Sequence, residues 1–247
     1  MFLFLVSILN NSTIINMKNL DENHLYQPSK IFITSYSSSS GSYSYSSQVI
    51  TGDETWEDTT VILNNTVIVE GTLTIINSTV LFNSPTERIG IIVNSGGTLY
   101  INDSQLLRYV EDQESYRYYI IVKGKLVIDG SLISGAGFTR AEIQPDYSGI
   151  FVNGSGSLYV ANSSIIKGYA GISLNGTSNI KIINTSFSDD AIGVYARYME
   201  NIFITKSSFE RGAYGIYMIN ATNVLIDNAN FTDLGSAIYL SLIHISE

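Results

Sequence analysis

The 247-residue chain is 45% hydrophobic, contains no cysteine and carries 22 acidic against 13 basic residues, which gives a formal net charge of -9. Without cysteine, neither a disulfide framework nor a thiolate metal site is available. The acidic balance and the lack of a basic stripe argue against a nucleic-acid partner.

The first 26 residues are predicted to be a signal or targeting segment. Residues 2–9 (FLFLVSIL) are too short an apolar run to span a membrane, but they are similar to the hydrophobic part of a signal peptide. No basic residue precedes the run and no A-x-A pattern follows it, so a clipped N-terminus or a buried strand is the alternative. Asn-x-Ser/Thr sequons favour export to the cell surface or the extracellular space, and glycosylation. They begin at Asn10, Asn11, Asn64, Asn77, Asn102, Asn153, Asn162, Asn175, Asn184, Asn220 and Asn230.

Residues 27–48 are predicted to be a linker rich in serine and tyrosine, because residues 35–47 (SYSSSSGSYSYSS) have no apolar periodicity. From residue 49 onward, short segments of alternating apolar residues are separated by Gly, Asn, Asp and Ser. This pattern is typical of strands and turns. Residues 49–240 are therefore predicted to form one β domain.

A 22-residue repeat organises the last third of the chain. Glycine opens each copy, at Gly149, Gly171, Gly193 and Gly215, and Ala237 takes the next position. Two apolar columns, seven residues apart, extend the register towards the N-terminus. The first column is Leu73, Leu99, Leu126, Leu158, Ile180, Ile202 and Val224, and the second is Val80, Leu106, Ile133, Ile165, Phe187, Phe209 and Phe231. A fixed period of this size indicates one structural unit stacked on copies of itself.

The predicted fold is an all-β, single-stranded, right-handed parallel β-helix, a solenoid of roughly eight coils. Each coil would hold about three short strands, and the inward residues of successive coils would form one continuous core. A leucine-rich repeat is the main alternative, but its L-x-x-L-x-L-x-x-N pattern is not met.

One turn of the predicted coil is mostly asparagine and glycine. Its residues are Asn77, Asp103, Gly130, Asn162, Asn184, Lys206 and Asn228. Asparagine tolerates left-handed backbone geometry, and its amide can bond to the asparagine of the next coil. On these residues the chain resembles the pectate-lyase-like β-helix superfamily, whose members often carry an asparagine ladder, and in particular archaeal and bacterial surface proteins with right-handed β-helix repeats. The resemblance covers about residues 49–240 and implies a ladder role for Asn162 and Asn184.

Enzymes of that superfamily act on polysaccharides, and Asp189-Asp190 in SDDAIG resembles the paired aspartates of polygalacturonases. The column through Asp189 continues as Arg211 and Asp233, however, which predicts charges stacked for mutual support. The remaining acids are scattered between coils, so no metal site, cofactor or catalytic residue is predicted, and calcium stays open only for a lyase. A polysaccharide lyase or glycoside hydrolase is the alternative to a structural or adhesive protein.

Outward-facing aromatic residues are the first candidate for binding a polysaccharide or a cell-surface glycan. Phe151, Tyr195, Tyr217 and Tyr239 occupy one outward position per coil, interrupted by Ser173, and flat rings stack well on sugars. A neighbouring strand is predicted to expose Tyr100, Tyr159 and Phe203. The alternative is that tyrosine simply favours strands and stacks on itself.

Two insertions, residues 107–119 and 134–148, are the second candidate, because long loops on a rigid scaffold often carry binding residues. Their candidate ligand-binding residues are Arg108, Tyr109, Arg117, Tyr118, Arg140 and Tyr147. A pair of solvated, variable loops is the alternative. No transmembrane span is predicted.

The C-terminal residues 240–247 (LSLIHISE) resemble the translated end of a transposase sequencing adapter. Ser246 stands where the repeat requires an apolar residue, 22 positions after Val224. Residues 241–247 are therefore predicted to be a non-native tail, and the native chain is expected to continue with further coils.

Overall fold

The computed structural model describes residues 42–45, 48–111, 117–137 and 149–241. Within these ranges all regular secondary structure is β-strand. The strands are β1 (Ser42–Tyr45), β2 (Gln48–Ile50), β3 (Asp53–Glu57), β4 (Thr60–Leu63), β5 (Val67–Val69), β6 (Thr72–Ile76), β7 (Thr79–Phe82), β8 (Ile89–Val93), β9 (Thr98–Asn102), β10 (Gln105–Arg108), β11 (Tyr118–Val122), β12 (Lys125–Asp129), β13 (Leu132–Ser134), β14 (Ile150–Asn153), β15 (Ser157–Ala161), β16 (Ser164–Ile166), β17 (Ala170–Asn175), β18 (Ser178–Ile183), β19 (Ser186–Ser188), β20 (Ile192–Thr205), β21 (Ser208–Asp227) and β22 (Asn230–Ser241).

Every pairing between these strands is parallel and joins one coil to the next. The pairings define three sheets. Sheet 1 begins with β1, β4 and β7, sheet 2 with β2, β5 and β8, and sheet 3 with β3, β6 and β9. In the last coils the long strands β20, β21 and β22 run through the corners from one sheet to another. The predicted right-handed parallel β-solenoid of about 8 turns is confirmed.

The sequence columns coincide with the structural register. Ile150 pairs with Ile172, and that residue in turn pairs with Val194, so each step is 22 residues. The inward residues of the three sheets form one continuous buried cluster from Ile50 to Ala221. Because each inward side chain lies directly against its equivalent in the next coil, the core remains apolar from coil to coil.

Aromatic rings stack inside this core as well as outside it. Phe187, Phe209 and Phe231 form a column with ring centroids 4.8 and 5.1 Å apart and nearly parallel planes. The glycines that open each repeat border this column. A Cβ on Gly193 would lie 2.6 Å from Phe209 Cδ1 and 2.7 Å from the carbonyl oxygen of Gly215, so close approach of the next coil requires glycine there.

The two ends of the described stack differ. In the first coil Glu54 occupies the inward position that is equivalent to Leu73 of the second coil. The Glu54 carboxylate accepts hydrogen bonds from Trp56 Nε1 (2.6 Å) and Gln48 Nε2 (2.8 Å). Partial burial raises the pKa of the Glu54 carboxyl. At the other end, Ile238 and Leu240 lie on inward rungs but are 44% and 54% exposed.

The strand ladder begins inside the segment that the sequence predicted to be a linker. Strand β1 lies within residues 27–48 and pairs with β4. Its sequence alternates serine with tyrosine, and tyrosine favours strands. The predicted signal segment of residues 1–26 lies outside the described residues, and so does the predicted tail apart from Ser241. Among the described residues no helix has the length and apolar character needed to cross a membrane.

Candidate functional site

A cluster of tyrosines lies on the outer face of sheet 2 in its last coils. Tyr195 and Tyr217 stack with ring centroids 5.6 Å apart, and Tyr217 and Tyr239 stack at 4.5 Å. Tyr214 meets Tyr217 edge to face at 5.1 Å. The side chains of Tyr195 and Tyr217 are half-buried, and that of Tyr239 is 42% exposed. These four residues, which we call the tyrosine cluster, form a contiguous and partly exposed aromatic surface.

A cation borders this cluster. The guanidinium of Arg197 lies 4.8 Å from the ring of Tyr198, and its Nη2 donates to the Tyr198 hydroxyl at 3.1 Å. Both residues are exposed. Desolvation and the neighbouring Tyr239 raise the pKa of the Tyr217 hydroxyl, so this group is protonated at neutral pH and can donate a hydrogen bond.

Phe151 does not belong to the exposed cluster, contrary to the prediction. It occupies the same outward column, since it pairs with Ser173, and that residue pairs with Tyr195. Phe151 is only 2% exposed, and Ser173 beside it is buried too. The outward column is therefore covered at Phe151 and Ser173 and is partly exposed again from Tyr195 onward. The 22-residue period alone does not show where an outward position is covered.

The aromatic residues predicted on the neighbouring sheet do not form a continuous strip. Tyr100 and Phe203 are half-buried and Tyr159 is exposed, but Val127 and Lys181 separate them in the column. The ammonium of Lys125 lies 5.4 Å from the ring of Tyr100. Sheet 3 thus offers isolated rings, whereas sheet 2 offers a stack.

Three insertion residues expected to be accessible are buried instead. Tyr118 starts strand β11, where it is fully buried, stacks on Phe82 at 3.8 Å and donates its hydroxyl to the carbonyl oxygen of Leu106 at 2.7 Å. Arg117 is buried and its Nη1 donates to two backbone carbonyl oxygens, of Gly137 and Lys167, both at 2.9 Å. Arg108 is buried as well.

Tyr118 is buried because the strand register resumes, with β11, before the predicted insertion of residues 107–119 ends. Tyr109 is 47% exposed, as expected for a binding candidate. Arg140 and Tyr147 lie outside the described residues. The insertion site therefore remains a prediction for Tyr109, Arg140 and Tyr147.

The left-handed turn predicted from the asparagine column is present in every coil from Asn77 to Asn228, with φ between 45° and 60°. Asn184 Nδ2 donates to Asn162 Oδ1 at 2.8 Å, as in an asparagine ladder. Asn162 Nδ2 reaches Asp129 Oδ1 at 2.8 Å, because Gly130 at the preceding rung has no side chain. The ladder role of Asn162 and Asn184 rests on these bonds.

A buried hydroxyl column follows the asparagine column and was missed from the sequence. Its members are Ser78, Ser104, Ser131, Ser163, Thr185 and Ser207. In a typical rung, Ser131 Oγ accepts the backbone N–H of Ser104 at 3.0 Å and donates to the carbonyl oxygen of Asp129 at 2.8 Å. The recurrence of serine or threonine one position after the turn was the available signal. The coil repeat also accounts for some of the Asn-x-Ser/Thr sequons. Asn77, Asn162 and Asn184 each begin an Asn-Ser/Thr-Ser/Thr triplet whose second residue belongs to the column.

Asp189 and Asp190 do not share one site. Arg211 binds Asp189 through Nε (2.8 Å) and Nη2 (3.2 Å), which confirms the predicted stacking of opposite charges. Asp190 is buried and accepts the N–H of Gly168 at 2.6 Å. Across the four described ranges, no three acidic or histidine side chains lie together as a metal site would require.

Among the comparisons with known proteins, the match to a family model supports the fold. Residues 124–243 match the family model described as "Right handed beta helix region". No curated protein matches the sequence. Among solved structures, the chain is similar to QnrB1, a plasmid-mediated fluoroquinolone resistance protein, with 9% identity, a TM-score of 0.29, and coverage of 77% of this chain and 91% of that chain. It is also similar to the Streptococcus pneumoniae surface protein and adhesin PfbA, with 11% identity, a TM-score of 0.30, and coverage of 82% and 91%. Similarity at these TM-scores carries no argument about fold or function.

Proposed function

We propose that this right-handed parallel β-helix protein is a secreted or cell-surface protein with a structural or adhesive role, and that it binds carbohydrate through the tyrosine cluster. The observation that carries the proposal is the stack of Tyr195, Tyr217 and Tyr239 on the outer face of sheet 2. Exposed, contiguous aromatic surface is uncommon on soluble proteins unless it has a binding role.

The geometry of the cluster suits a sugar ring. Aromatic side chains combine a flat apolar face with a polar tip, and a pyranose likewise has apolar C–H faces and polar hydroxyl edges. The parallel strands keep successive rings at a fixed spacing, so the site is rigid before it meets a ligand. Tyr214, edge-on to both Tyr217 and Tyr239, fixes the orientation of the stack.

A glycan-array screen of the whole chain, followed by titration calorimetry of each bound glycan, tests the proposal. We expect Tyr217→Ala to weaken binding about tenfold, and Tyr217→Phe to retain most of it, because stacking needs only the ring. Tyr159→Ala is the matched control, since Tyr159 is an exposed tyrosine of sheet 3 outside the cluster. Equal binding by wild type and Tyr217→Ala would contradict the tyrosine site.

An enzyme assay separates adhesion from catalysis. Each polysaccharide that binds is incubated with the protein and examined for new reducing ends and for unsaturated uronates. A purely adhesive protein leaves both readouts at the background level. Cleavage of any polymer would replace this proposal with a polysaccharide lyase or hydrolase.

A further inference from the structure

A second surface feature is an open groove of about 460 Å³ at the corner between sheets 3 and 1. Five consecutive coils line it, and none of its residues belongs to the tyrosine cluster. The left-handed turn residues form one wall: Asp103, Gly130, Asn162, Asn184 and Lys206. The first residues of the sheet 1 strands form the other wall: Gln105, Leu132, Ser164, Ser186 and Ser208. We call this feature the polar groove; its volume falls in the range of small-molecule sites.

The backbone of the polar groove is already hydrogen-bonded from coil to coil. The N–H of Asn162 donates to the carbonyl oxygen of Ile183 at 3.1 Å, and the N–H of Ser186 donates to the carbonyl oxygen of Ser163 at 2.9 Å. The hydroxyl column forms the floor and bonds to backbone groups in the same way. Recognition of a ligand therefore has to come from the side chains of the two walls.

Those side chains offer both donors and acceptors. Asn184 uses one amide N–H on Asn162, and Ser186 donates its hydroxyl to Ser164 Oγ at 2.9 Å. An asparagine amide has two N–H groups and an oxygen with two lone pairs, and a hydroxyl can accept as well as donate. Unused hydrogen-bond donors and acceptors thus remain on both walls of the polar groove within the same coils.

The charge distribution narrows the ligand class. From Gly130 to Asn184 the lining is uncharged, while Asp103 and Lys206 place opposite charges at the two ends. Leu132 is the sole aliphatic side chain among the lining residues, so the groove has little apolar surface for a lipid or an aromatic ligand. With coils about 4.8 Å apart, five coils extend for about 19 Å along the solenoid axis.

We infer that the polar groove binds an uncharged, hydroxyl-rich glycan chain lying parallel to the solenoid axis. Sugar hydroxyls both donate and accept, which matches the mixed amide and hydroxyl walls. This inference rests on the proposed carbohydrate binding but assigns it a separate surface, so the two sites can be tested independently.

The test titrates the whole chain with linear neutral gluco-, galacto- and manno-oligosaccharides of increasing length, and with oligogalacturonates as the charged comparison. The double variant Ser164→Leu/Ser186→Leu blocks one wall; leucine is compatible with this rung because Leu132 occupies it in another coil. Ser188→Ile is the matched control, since Ser188 lies outside the groove on a rung that Ile166 fills in the preceding coil.

We expect a neutral oligosaccharide to bind, with affinity increasing with chain length until the groove is filled. The double variant should lose about tenfold or more in affinity, because hydrogen bonds to two hydroxyls are lost, while Ser188→Ile retains it. Unchanged affinity in the double variant, or binding of oligogalacturonates alone, contradicts the proposal that the polar groove binds an uncharged glycan. Loss of binding in Tyr217→Ala with an unaffected double variant overturns the groove but supports the tyrosine cluster. Loss of binding in the double variant with unaffected binding by Tyr217→Ala supports the groove and contradicts the tyrosine cluster as the site for these oligosaccharides. A failure of every oligosaccharide in this panel to bind overturns the groove, while the glycan-array screen decides the tyrosine cluster.

Discussion

Asp189 and Asp190 are neighbours in sequence, but their carboxylates lie in opposite environments. Asp189 is on the surface, where the guanidinium of Arg211 in the next coil binds it and lowers its pKa. Asp190 is 3% exposed, and its Oδ2 makes no hydrogen bond with the described part of the chain. The two carboxyl groups therefore do not face one substrate, as a pair of glycosidase acids would.

The buried carboxyl of Asp190 predicts an unusual pH dependence. Desolvation raises its pKa well above the usual 3.8, opposed by the hydrogen bond from Gly168 and by Arg117, while Asp189 raises it further. Above the unfolded-state pKa, the folded protein then binds more protons than the unfolded chain. Stability is therefore lost as the pH rises from about 4 towards the folded-state pKa, by up to about 1.4 kcal/mol per pH unit.

Asp190→Asn removes this titration while keeping an oxygen for the N–H of Gly168. We expect the difference in unfolding free energy, variant minus wild type, to increase between about pH 4 and pH 7, as measured by chemical denaturation at each pH. Asp189→Asn is the matched control and should show little change over this range, because the lowered pKa of Asp189 confines its effect on stability to pH values below about 4. A difference independent of pH for Asp190→Asn would show that Asp190 does not titrate as a buried acid.

The glycines that open each repeat predict a steric cost. Gly193→Ala would place a methyl group 2.7 Å from the carbonyl oxygen of Gly215, which is backbone and cannot rotate away. We expect this overpacking to destabilise the protein by about 1–3 kcal/mol, measured as a lower denaturation midpoint. Gly52→Ala is the control, because no atom lies within 4 Å of its added Cβ. Equal stability of the two variants would mean that neighbouring coils separate at little cost.

The sequence predicted the regular part of this fold because stacking in register makes each position face the same surroundings in every coil. Inward columns, the left-handed asparagine turn and the pairing of Asp189 with Arg211 all follow from that rule. The burial of Phe151, Arg117 and Tyr118 could not be predicted, since it occurs beside the insertions, where the 22-residue count is interrupted. The hydroxyl column was missed for another reason: serine is usually exposed, and only its bonds to the next coil show why it is buried here.

The hydroxyl column predicts that a single buried serine connects two coils. Ser131→Ala removes the acceptor of the Ser104 N–H and leaves that buried donor without its partner. We expect a loss of about 1–3 kcal/mol in unfolding free energy, together with faster hydrogen exchange at the Ser104 amide. Ser131→Thr keeps a hydroxyl at this position, where Thr185 of another coil donates its own hydroxyl to the carbonyl oxygen of Ile183, and should preserve more of the stability and protection than Ser131→Ala. Protection of the Ser104 amide that is equal in Ser131→Ala and wild type would contradict a stabilising role for the column.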